Sequence, residues 1–270
     1  MSISHANGIN LYYEFHGSEQ AATLVVNNGI IMNASTSWSF QVPVLAKHYR
    51  LLLYDLRGQG ASDHPESEYS MDLHADDLAA LLLNLGIKSA HIAGISYGGE
   101  VGQVFALKYP QMTCSLILAD TVSEIHDELR IITQSWIDAL KTSDPLAVFN
   151  ATVPWNFSAQ FIKENQELME DAKKRYALLD FQAVIRLCRS FLQVDWSPRL
   201  HEIQCPTCII VGSKDRLKGP DYAEILHRGI PGSEYHLLPG SGHATCWERA
   251  EEFNTIILGF LSKQKERACN

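Results

Sequence analysis

The stretch Gly94-Ile95-Ser96-Tyr97-Gly98-Gly99 decides the fold that we predict for this chain of 270 residues. It follows a β-rich run at residues 89–93 and precedes a helical pattern at residues 98–108. A turn between a strand and a helix lifts a serine hydroxyl clear of a sheet, and small residues are needed two positions before and after the serine because the backbone is crowded there. The helix that follows directs its free N–H groups to the same place. We interpret Ser96 as a nucleophile rather than as part of a plain glycine-rich turn.

Short β-rich runs alternate with helical patterns along most of the chain, as in a mostly parallel sheet covered by helices on both faces. The predicted strands span residues 9–15, 23–27, 49–54, 89–93, 115–119, 207–211 and 234–238. The predicted helices that cover them span residues 71–85, 98–108, 220–228 and 247–262. We therefore predict an α/β fold whose sheet has about eight strands.

Residues 122–199 interrupt this alternation, because they contain no convincing strand. Their helical patterns, separated by Pro154 and Pro198, lie at residues 129–140, 158–171 and 181–192. A helical stretch between two strands, followed by a return to the sheet, is typical of an inserted lid. We predict a helical cap at 122–199 on a core made of residues 1–121 and 200–270.

Aromatic side chains are concentrated in the predicted cap, and most of them are expected to pack in its interior. A lid over a binding site also presents some apolar side chains to the ligand. We predict that Trp155 and Phe157 line an apolar substrate pocket.

A serine hydroxyl needs a base within hydrogen-bonding distance, because it is a weak nucleophile at its own pKa. The chain has 11 histidines. His243 stands apart from the others in Gly240-Ser241-Gly242-His243-Ala244, a glycine-rich loop after the last predicted strand and before the last helix. We predict that His243 is the general base.

The third member of such a site is a carboxylate that holds the imidazole in one tautomer and balances its charge. Asp215 comes just after the strand at 207–211, on the side of a parallel sheet where ligands bind. Asp120 ends the strand at 115–119 on the same side and is a competing candidate. We favour Asp215, and both remain open at this point.

Composition excludes several classes of function. The formal net charge is −9 and the basic residues form no cluster, so nucleic acid and anionic membranes are poor partners. No apolar run reaches the length of about 20 residues that a membrane span needs, and the N-terminus lacks the features of a signal peptide. We expect a cytoplasmic protein with a small-molecule substrate, no metal and no cofactor, and the sequence gives no indication of its oligomeric state.

Taken together, these motifs resemble those of the α/β-hydrolase superfamily over nearly the whole chain. Besides the turn around Ser96, the run Asp55-Leu56-Arg57-Gly58-Gln59-Gly60-Ala61-Ser62 is similar to the family's D-x-R-G-x-G-x-S turn. The order of Ser96, Asp215 and His243 along the chain is also that of the family. The resemblance implies the α/β-hydrolase fold and a serine, histidine and aspartate acting together.

One departure from the family concerns the loop after the strand at 23–27. Many members carry His-Gly there, whereas this chain has Asn28-Gly29. The resemblance implies that the backbone N–H groups of Ile30 and Tyr97 form an oxyanion hole, a role that Asn in place of His leaves intact. Asn28 becomes a candidate for contact with substrate. The stretch from 28 to 38 looks most like that of 3-oxoadipate enol-lactonases and related lactonases and esterases.

We predict a cofactor-free hydrolase of a carboxylic ester or lactone that acts through an acyl-enzyme, a class that includes macrocyclic lactones. A second hypothesis keeps the same residues and changes the reaction to C–C bond hydrolysis, thioester hydrolysis, acyl transfer or perhydrolysis. A third is a ligand receptor that retains a vestigial triad, since a fold does not fix a function.

Overall fold

The computed structural model describes residues 2–264, so the last six residues of the predicted core, 265–270, lie outside the described part. The strands are β1 (Ser2–Ala6), β2 (Ile9–His16), β3 (Thr23–Asn27), β4 (Arg50–Tyr54), β5 (Ala90–Ile95), β6 (Thr113–Ala119), β7 (Thr207–Gly212) and β8 (Glu234–Leu238). They form one sheet in the order β1-β2-β4-β3-β5-β6-β7-β8. The β1/β2 and β2/β4 pairs are antiparallel, and every other neighbouring pair is parallel. The predicted sheet of about eight strands is confirmed.

Strand β1 is the one described strand that our sequence analysis missed. It pairs with β2 through a hairpin whose two turn residues, Asn7 and Gly8, both have positive φ angles of 48° and 79°. Asn-Gly is the preferred pair for such a turn, because both positions need a left-handed backbone. The dipeptide was therefore a usable signal for the missing strand.

The helices come in three groups along the chain. Those before the insertion are α1 (Ala34–Ser37), α2 (Val42–Leu45), α3 (Met71–Asn84) and α4 (Tyr97–Lys108). Between β6 and β7 lie α5 (Asp127–Lys141), α6 (Pro145–Asn156), α7 (Ala159–Glu164), α8 (Gln166–Tyr176) and α9 (Phe181–Phe191). The last group is α10 (Pro220–Gly229), α11 (Thr245–Glu248) and α12 (Ala250–Ser262). Short 3₁₀ turns occupy Pro110–Met112 and Ser197–Glu202.

The sheet is buried on both faces, which explains why its central strands lack polar alternation. Along β3, Val25 packs in one core cluster with side chains of α3 and α4, while its neighbours Leu24 and Val26 pack in a second with side chains of α12. This alternation follows from the two-residue period of a strand. The prediction of helices on both faces is confirmed.

We call residues 122–199 the helical segment. Its observed helices differ from the predicted ones in two places. Pro154 lies inside α6, which the sequence analysis missed, although Asp144 caps that helix and Pro145 begins it. The single helix predicted at 158–171 is two helices, because the chain leaves helical geometry at Asn165, where ψ is 48°. One difference is a missed helix and the other is a break within a predicted one, and both leave the segment helical.

The two ends of the helical segment are joined side by side. Glu124 and Asp195 form an isolated antiparallel bridge, and the backbone N–H of Trp196 donates to the carbonyl of Ser123 at 2.9 Å. Between these ends the segment has an apolar cluster of its own, which includes Phe149, Met169 and Ile185. The chain therefore leaves the sheet after β6 and returns to it before β7 at neighbouring positions.

Candidate active site

The turn around Ser96 has the strained geometry that its sequence predicted. Ser96 follows β5 directly with φ 53° and ψ −122°, and α4 begins at Tyr97. A Cβ added at Gly94 would lie 2.1 Å from the carbonyl oxygen of Gly98, and one added at Gly98 would lie 2.3 Å from that of Asn27. A backbone this crowded accepts only glycine at both positions. The surrounding strand and helix therefore hold the Ser96 side chain in one place.

Ser96, His243 and Asp215 form one hydrogen-bonded line. The Nε2 atom of His243 is 2.9 Å from the Oγ of Ser96, and its Nδ1 is 2.8 Å from the Oδ2 of Asp215. His243 lies on the loop between β8 and α11, and all three side chains are buried. With the proton on Nδ1, the ring donates to the carboxylate and can accept the serine proton at Nε2.

The backbone fixes the Asp215 carboxylate in this orientation. Its Oδ1 accepts the N–H groups of Leu217 and Lys218 at 2.8 and 2.9 Å, which leaves Oδ2 for the imidazole. Buried carboxylate oxygens need such partners, because desolvation of an unpaired charge is costly.

Asp120, the competing candidate, faces elsewhere. Its Oδ1 accepts the N–H of Gly212 at 3.2 Å, and its Oδ2 accepts the N–H and hydroxyl of Thr245 at 3.2 and 2.5 Å. Burial, together with the nearby charge of Asp215, raises the pKa of Asp120 well above its usual value. The structure thus brings Asp215 to His243 and leaves Asp120 connecting β7 to the residues after His243.

The loop after β3 brings Ile30 beside Ser96. The side-chain amide of Gln59 donates to the carbonyls of Gly29 and Ile30 at 2.8 and 3.2 Å and so fixes this loop to the turn at 55–62. Tyr97 is the first residue of α4, so its N–H has no acceptor within the helix. Gln59 is a functional candidate that our sequence analysis did not single out, although the turn at 55–62 contains it.

Asn28 does not reach the substrate space. Its side chain is fully buried, and its Nδ2 donates to the carbonyl of Tyr54 at 2.8 Å. It lines neither of the two cavities that contact Ser96. The amide instead ties the loop after β3 to the neighbouring strand β4.

A cavity of about 240 Å³ opens over Ser96 and His243, between the sheet edge and the helical segment. Phe157 lines this cavity, as predicted, together with apolar side chains such as Met169 and Leu179. Trp155 does not line it, and the guanidinium of Arg216 lies 5.5 Å from the centre of the Trp155 ring. Of the two predicted cap aromatics, the structure brings only Phe157 to the cavity.

A second, smaller cavity of about 20 Å³ also contacts Ser96, together with Ile30 and Tyr97. Its far wall is formed by Trp136 and Phe191 from the helical segment and by Lys218. His243 lines the large cavity but not this one.

The buried side chains of Lys218 and Tyr97 make polar contacts between the site and neighbouring helices. The Nζ of Lys218 lies 2.9 Å from both carboxylate oxygens of Glu100, at the start of α4, and burial lowers the pKa of Lys218. The hydroxyl of Tyr97 lies 2.8 Å from the Nε2 of His74 and 2.5 Å from the Oγ of Ser190 on α9. The residue next to Ser96 is therefore in contact with both α3 and the helical segment.

Within residues 2–264, no group of three or more His, Cys, Asp or Glu side chains is arranged to hold a metal ion. In the same part of the chain, none of the helices has the length and apolar character needed to cross a bilayer.

Residues 22–250 match the family model described as the alpha/beta hydrolase fold. A protein of Stutzerimonas stutzeri named "Putative carbamate hydrolase RutD" is 31% identical over 262 residues, which are 94% of this chain and 97% of that protein. The 3-oxoadipate enol-lactonase 2 of Acinetobacter baylyi is 28% identical over 258 residues, 96% of this chain and 95% of the relative.

A solved structure extends the similarity to three dimensions. MGS-M2, an alpha/beta hydrolase enzyme from a Medee basin deep-sea metagenome library, superposes with a TM-score of 0.91 at 32% identity, covering 97% of each chain. The similarity to enol-lactonases that the loop after β3 indicated is confirmed by the relative from Acinetobacter. The chain belongs to the alpha/beta hydrolase fold family and is a hydrolase.

Proposed function

We propose that the protein is a serine hydrolase that cleaves a carboxylic ester or lactone through an acyl-enzyme on Ser96. The observation that carries this proposal is the hydrogen-bonded line from the Oγ of Ser96 through His243 to Asp215, at 2.9 and 2.8 Å. A serine activated in this way attacks carbonyl carbon. In this reading Asp215 orients the ring and balances its positive charge.

The first half of the reaction forms the acyl-enzyme. The Oγ of Ser96 bonds to the carbonyl carbon while its proton passes to the Nε2 of His243. The carbonyl oxygen becomes an oxyanion, which accepts hydrogen bonds from the N–H groups of Ile30 and Tyr97; removing one such donor costs roughly 3 kcal/mol in other enzymes. The bond between the carbonyl carbon and the leaving oxygen then breaks, and His243 returns the proton to that oxygen.

The second half releases the acid. Water loses a proton to His243 and its oxygen bonds to the acyl carbon, which restores the oxyanion. The bond to Ser96 breaks, the proton returns to the Oγ of Ser96, and the carboxylic acid leaves. Every step uses side chains and backbone groups of the chain itself.

We further propose that the helical segment acts as a cap that selects the substrate. Both cavities that contact Ser96 are closed on one side by its residues, among them Phe157, Trp136 and Phe191. The apolar lining fits a medium-sized, mostly uncharged substrate. The names of the relatives, a carbamate hydrolase and an enol-lactonase, agree with cleavage between a carbonyl carbon and a heteroatom.

The test is a panel of phenyl esters, lactones, thioesters and carbamates, assayed with wild type and Ser96→Ala. We expect turnover of esters or lactones to fall by roughly 10⁴-fold or more in the variant, since the triad acts as a unit. Ser262→Ala, at an exposed position at the end of α12, is the matched control and should keep full activity. Undiminished turnover in Ser96→Ala, or tight ligand binding without turnover in wild type, would contradict the proposal.

A further inference from the structure

A buried ion pair joins the two elements that carry the candidate acid and the candidate nucleophile. We call residues 215–219, which begin with Asp215 after β7, the acid turn. Ser96 caps the start of α4. The ammonium of Lys218 in the acid turn lies 2.9 Å from both carboxylate oxygens of Glu100 in α4. In the described part of the chain, no other hydrogen bond or ion pair connects the acid turn to α4.

At one end of this connection, Lys218 also sets the direction of the Asp215 carboxylate. The backbone N–H of Lys218 donates to the Oδ1 of Asp215 at 2.9 Å, beside the N–H of Leu217 at 2.8 Å. These two bonds leave Oδ2 for the imidazole of His243. A shift of the Lys218 backbone would therefore turn the carboxylate away from the ring.

At the other end, Glu100 has a fixed position relative to Ser96. It lies in the first turn of α4, and its backbone N–H donates to the carbonyl of Ser96 at 3.3 Å. Its Oε1 also accepts the hydroxyl of Thr121 at 2.5 Å and the N–H of Val122 at 2.9 Å, just after β6. The lysine therefore has a rigid partner one helical turn from the nucleophile.

Stability alone does not explain an ion pair in this place. The side chains of Lys218 and Glu100 are 4% and 0% exposed. The loss of hydration of two buried charges can exceed their attraction, and apolar side chains can often replace such a pair without loss of stability. The acid turn also has an apolar anchor, because Leu217 is buried in the large core cluster. The position of the pair between two catalytic elements is the feature that remains to be explained.

The ammonium of Lys218 has its partners within the protein. Lys218 lines the small cavity beside Ser96, but its Nζ donates to both oxygens of Glu100 and lies 4.2 Å from the centre of the Phe191 ring. A cation over an aromatic face is a favourable contact. Lys218 can therefore affect the reaction through the position of Asp215 without a hydrogen bond to the substrate.

We infer that Lys218 and Glu100 are positioning residues, and that their ion pair holds the acid turn at a fixed distance from α4. Asp215 then keeps the imidazole of His243 in line with Ser96. This inference rests on the proposed function, because it concerns the side chains through which that reaction runs. A displacement of about 1 Å at such a group can lower a rate by roughly 100-fold. The pair should therefore affect kcat rather than KM.

The test removes both charges together in Glu100→Gln/Lys218→Met, so that no unpaired charge is left in the interior. The glutamine keeps an oxygen for Thr121 and Val122, and the methionine keeps most of the length of the lysine. We expect this double variant to fold. For the best substrate of the panel, kcat should be about 10- to 100-fold lower, with KM within about 3-fold of wild type.

A second measurement follows the hydrogen bond between His243 and Asp215 directly. A short hydrogen bond from an imidazole N–H to a carboxylate gives a proton signal far downfield in NMR spectra, and the signal depends on the distance between the two heavy atoms. In the double variant we expect the signal to move upfield or to broaden, because the carboxylate is held less firmly. This measurement needs no substrate.

Thr121→Val is the matched control. It removes a hydroxyl that donates to the same Oε1 of Glu100 and leaves the ion pair with Lys218 in place. The loss of a buried hydrogen bond should lower the free energy of unfolding. Both kcat and the downfield signal should match those of wild type.

Three results would overturn this inference alone, provided that wild type cleaves its substrate through Ser96. They are an undiminished kcat in the folded double variant, a lower kcat with an unchanged downfield signal, and an equal loss of kcat in Thr121→Val. Failure of folded wild type to cleave any acyl substrate would instead overturn the proposed function, and this inference with it.

If the double variant does not fold, Glu100→Gln is assayed in its place. A lower kcat at unchanged KM then supports the inference, and an undiminished kcat overturns it. Failure of both variants to fold also overturns it, because the pair would then be required for the fold itself.

Discussion

At the carboxyl edge of the sheet, backbone atoms leave no room for a Cβ at Gly94 or Gly98. Each catalytic candidate lies at the end of a strand or on the loop that follows one. In the helical segment, helix positions depend instead on side chains such as Phe149 and Met169, which pack in a cluster of their own. The first region is determined by close backbone contacts and the second by packing that many apolar sequences could satisfy.

This difference separates the proposed chemistry from the proposed substrate selection. The Ser96, His243 and Asp215 line depends on the edge of the sheet, while residues of the helical segment form part of the wall of both cavities. Substitutions at the sheet edge should therefore abolish turnover or folding, and substitutions in the segment should alter stability slightly or change which substrate is accepted.

The largest effect is expected from Asp215→Asn. The variant cannot hold the imidazole in the required tautomer, and kcat should fall roughly 10⁴-fold while the unfolding temperature changes little. Asp120→Asn is the matched control: it removes a carboxylate equally close to the strand ends but without a hydrogen bond to His243, so kcat should fall far less. A steady-state assay of both variants checks this, and the reverse pattern would show that Asp120 is the acid.

Gly98→Ala tests the crowding of the sheet edge. The new Cβ would lie 2.3 Å from the carbonyl oxygen of Asn27, so the turn must distort, and the free energy of unfolding should fall by about 1–3 kcal/mol. Gly259→Ala in α12 is the control, because its Cβ would meet nothing within 4 Å. That variant should gain about 1 kcal/mol from helix propensity. Urea unfolding measures both, and equal effects would contradict the account.

Acid pH should lower the free energy of unfolding through a residue of the core rather than through the helical segment. Burial, with a smaller contribution from Arg57, lowers the pKa of His74 from 6.5 to about 3. Below pH 6.5 the unfolded chain binds this proton first, so stability is lost as pH falls from 6.5 towards 3. At pH 5 the loss from this group is roughly 2 kcal/mol.

His74→Gln removes that titration while it keeps a partner for the Tyr97 hydroxyl. We therefore expect the free energy of unfolding of the variant to depend less steeply on pH between 7 and 5 than that of wild type. Denaturant unfolding at each pH is the measurement. Parallel curves for the two proteins would mean that His74 takes up its proton in the folded state.

The smallest effect is expected inside the helical segment. Thr152→Val removes a hydroxyl that lies 2.8 Å from that of Tyr176 in the segment's own cluster. The free energy of unfolding should fall by about 1 kcal/mol, with kcat/KM for phenyl acetate unchanged. Thr142→Val, at an exposed helix end, serves as the comparison and should change stability by less than about 0.5 kcal/mol. A loss of activity in Thr152→Val would show that the segment's packing controls the chemistry.

The same contrast explains which residues of the candidate site could be predicted from the sequence alone. Ser96 and His243 were predictable, because glycine spacing and position after a strand are local features that the backbone geometry requires. Asp215 was favoured over Asp120, and the structure does bring it to His243. Position after a strand could not by itself separate the two, since both end strands on one side of the sheet. What separates them is the orientation of the carboxylate. It depends on the N–H groups of Leu217 and Lys218, which turn one carboxylate towards His243.

The residues that line the substrate cavity were harder to predict. Trp155 and Phe157 are two residues apart at the end of α6, and only the second lines a cavity. Asn28 was offered as a substrate contact, yet its side chain turns inward to Tyr54. In both cases the deciding factor is the direction of a side chain at the end of an element, which composition and periodicity do not specify.

The proposed mechanism requires that Ser96 becomes acylated during turnover. The most direct measurement is rapid acid quenching of the enzyme with phenyl acetate, followed by peptide mass spectrometry. We expect one acetyl group, confined to the peptide that contains Ser96 and absent from Ser96→Ala. An acetyl group on a different residue, or steady hydrolysis by Ser96→Ala, would contradict it.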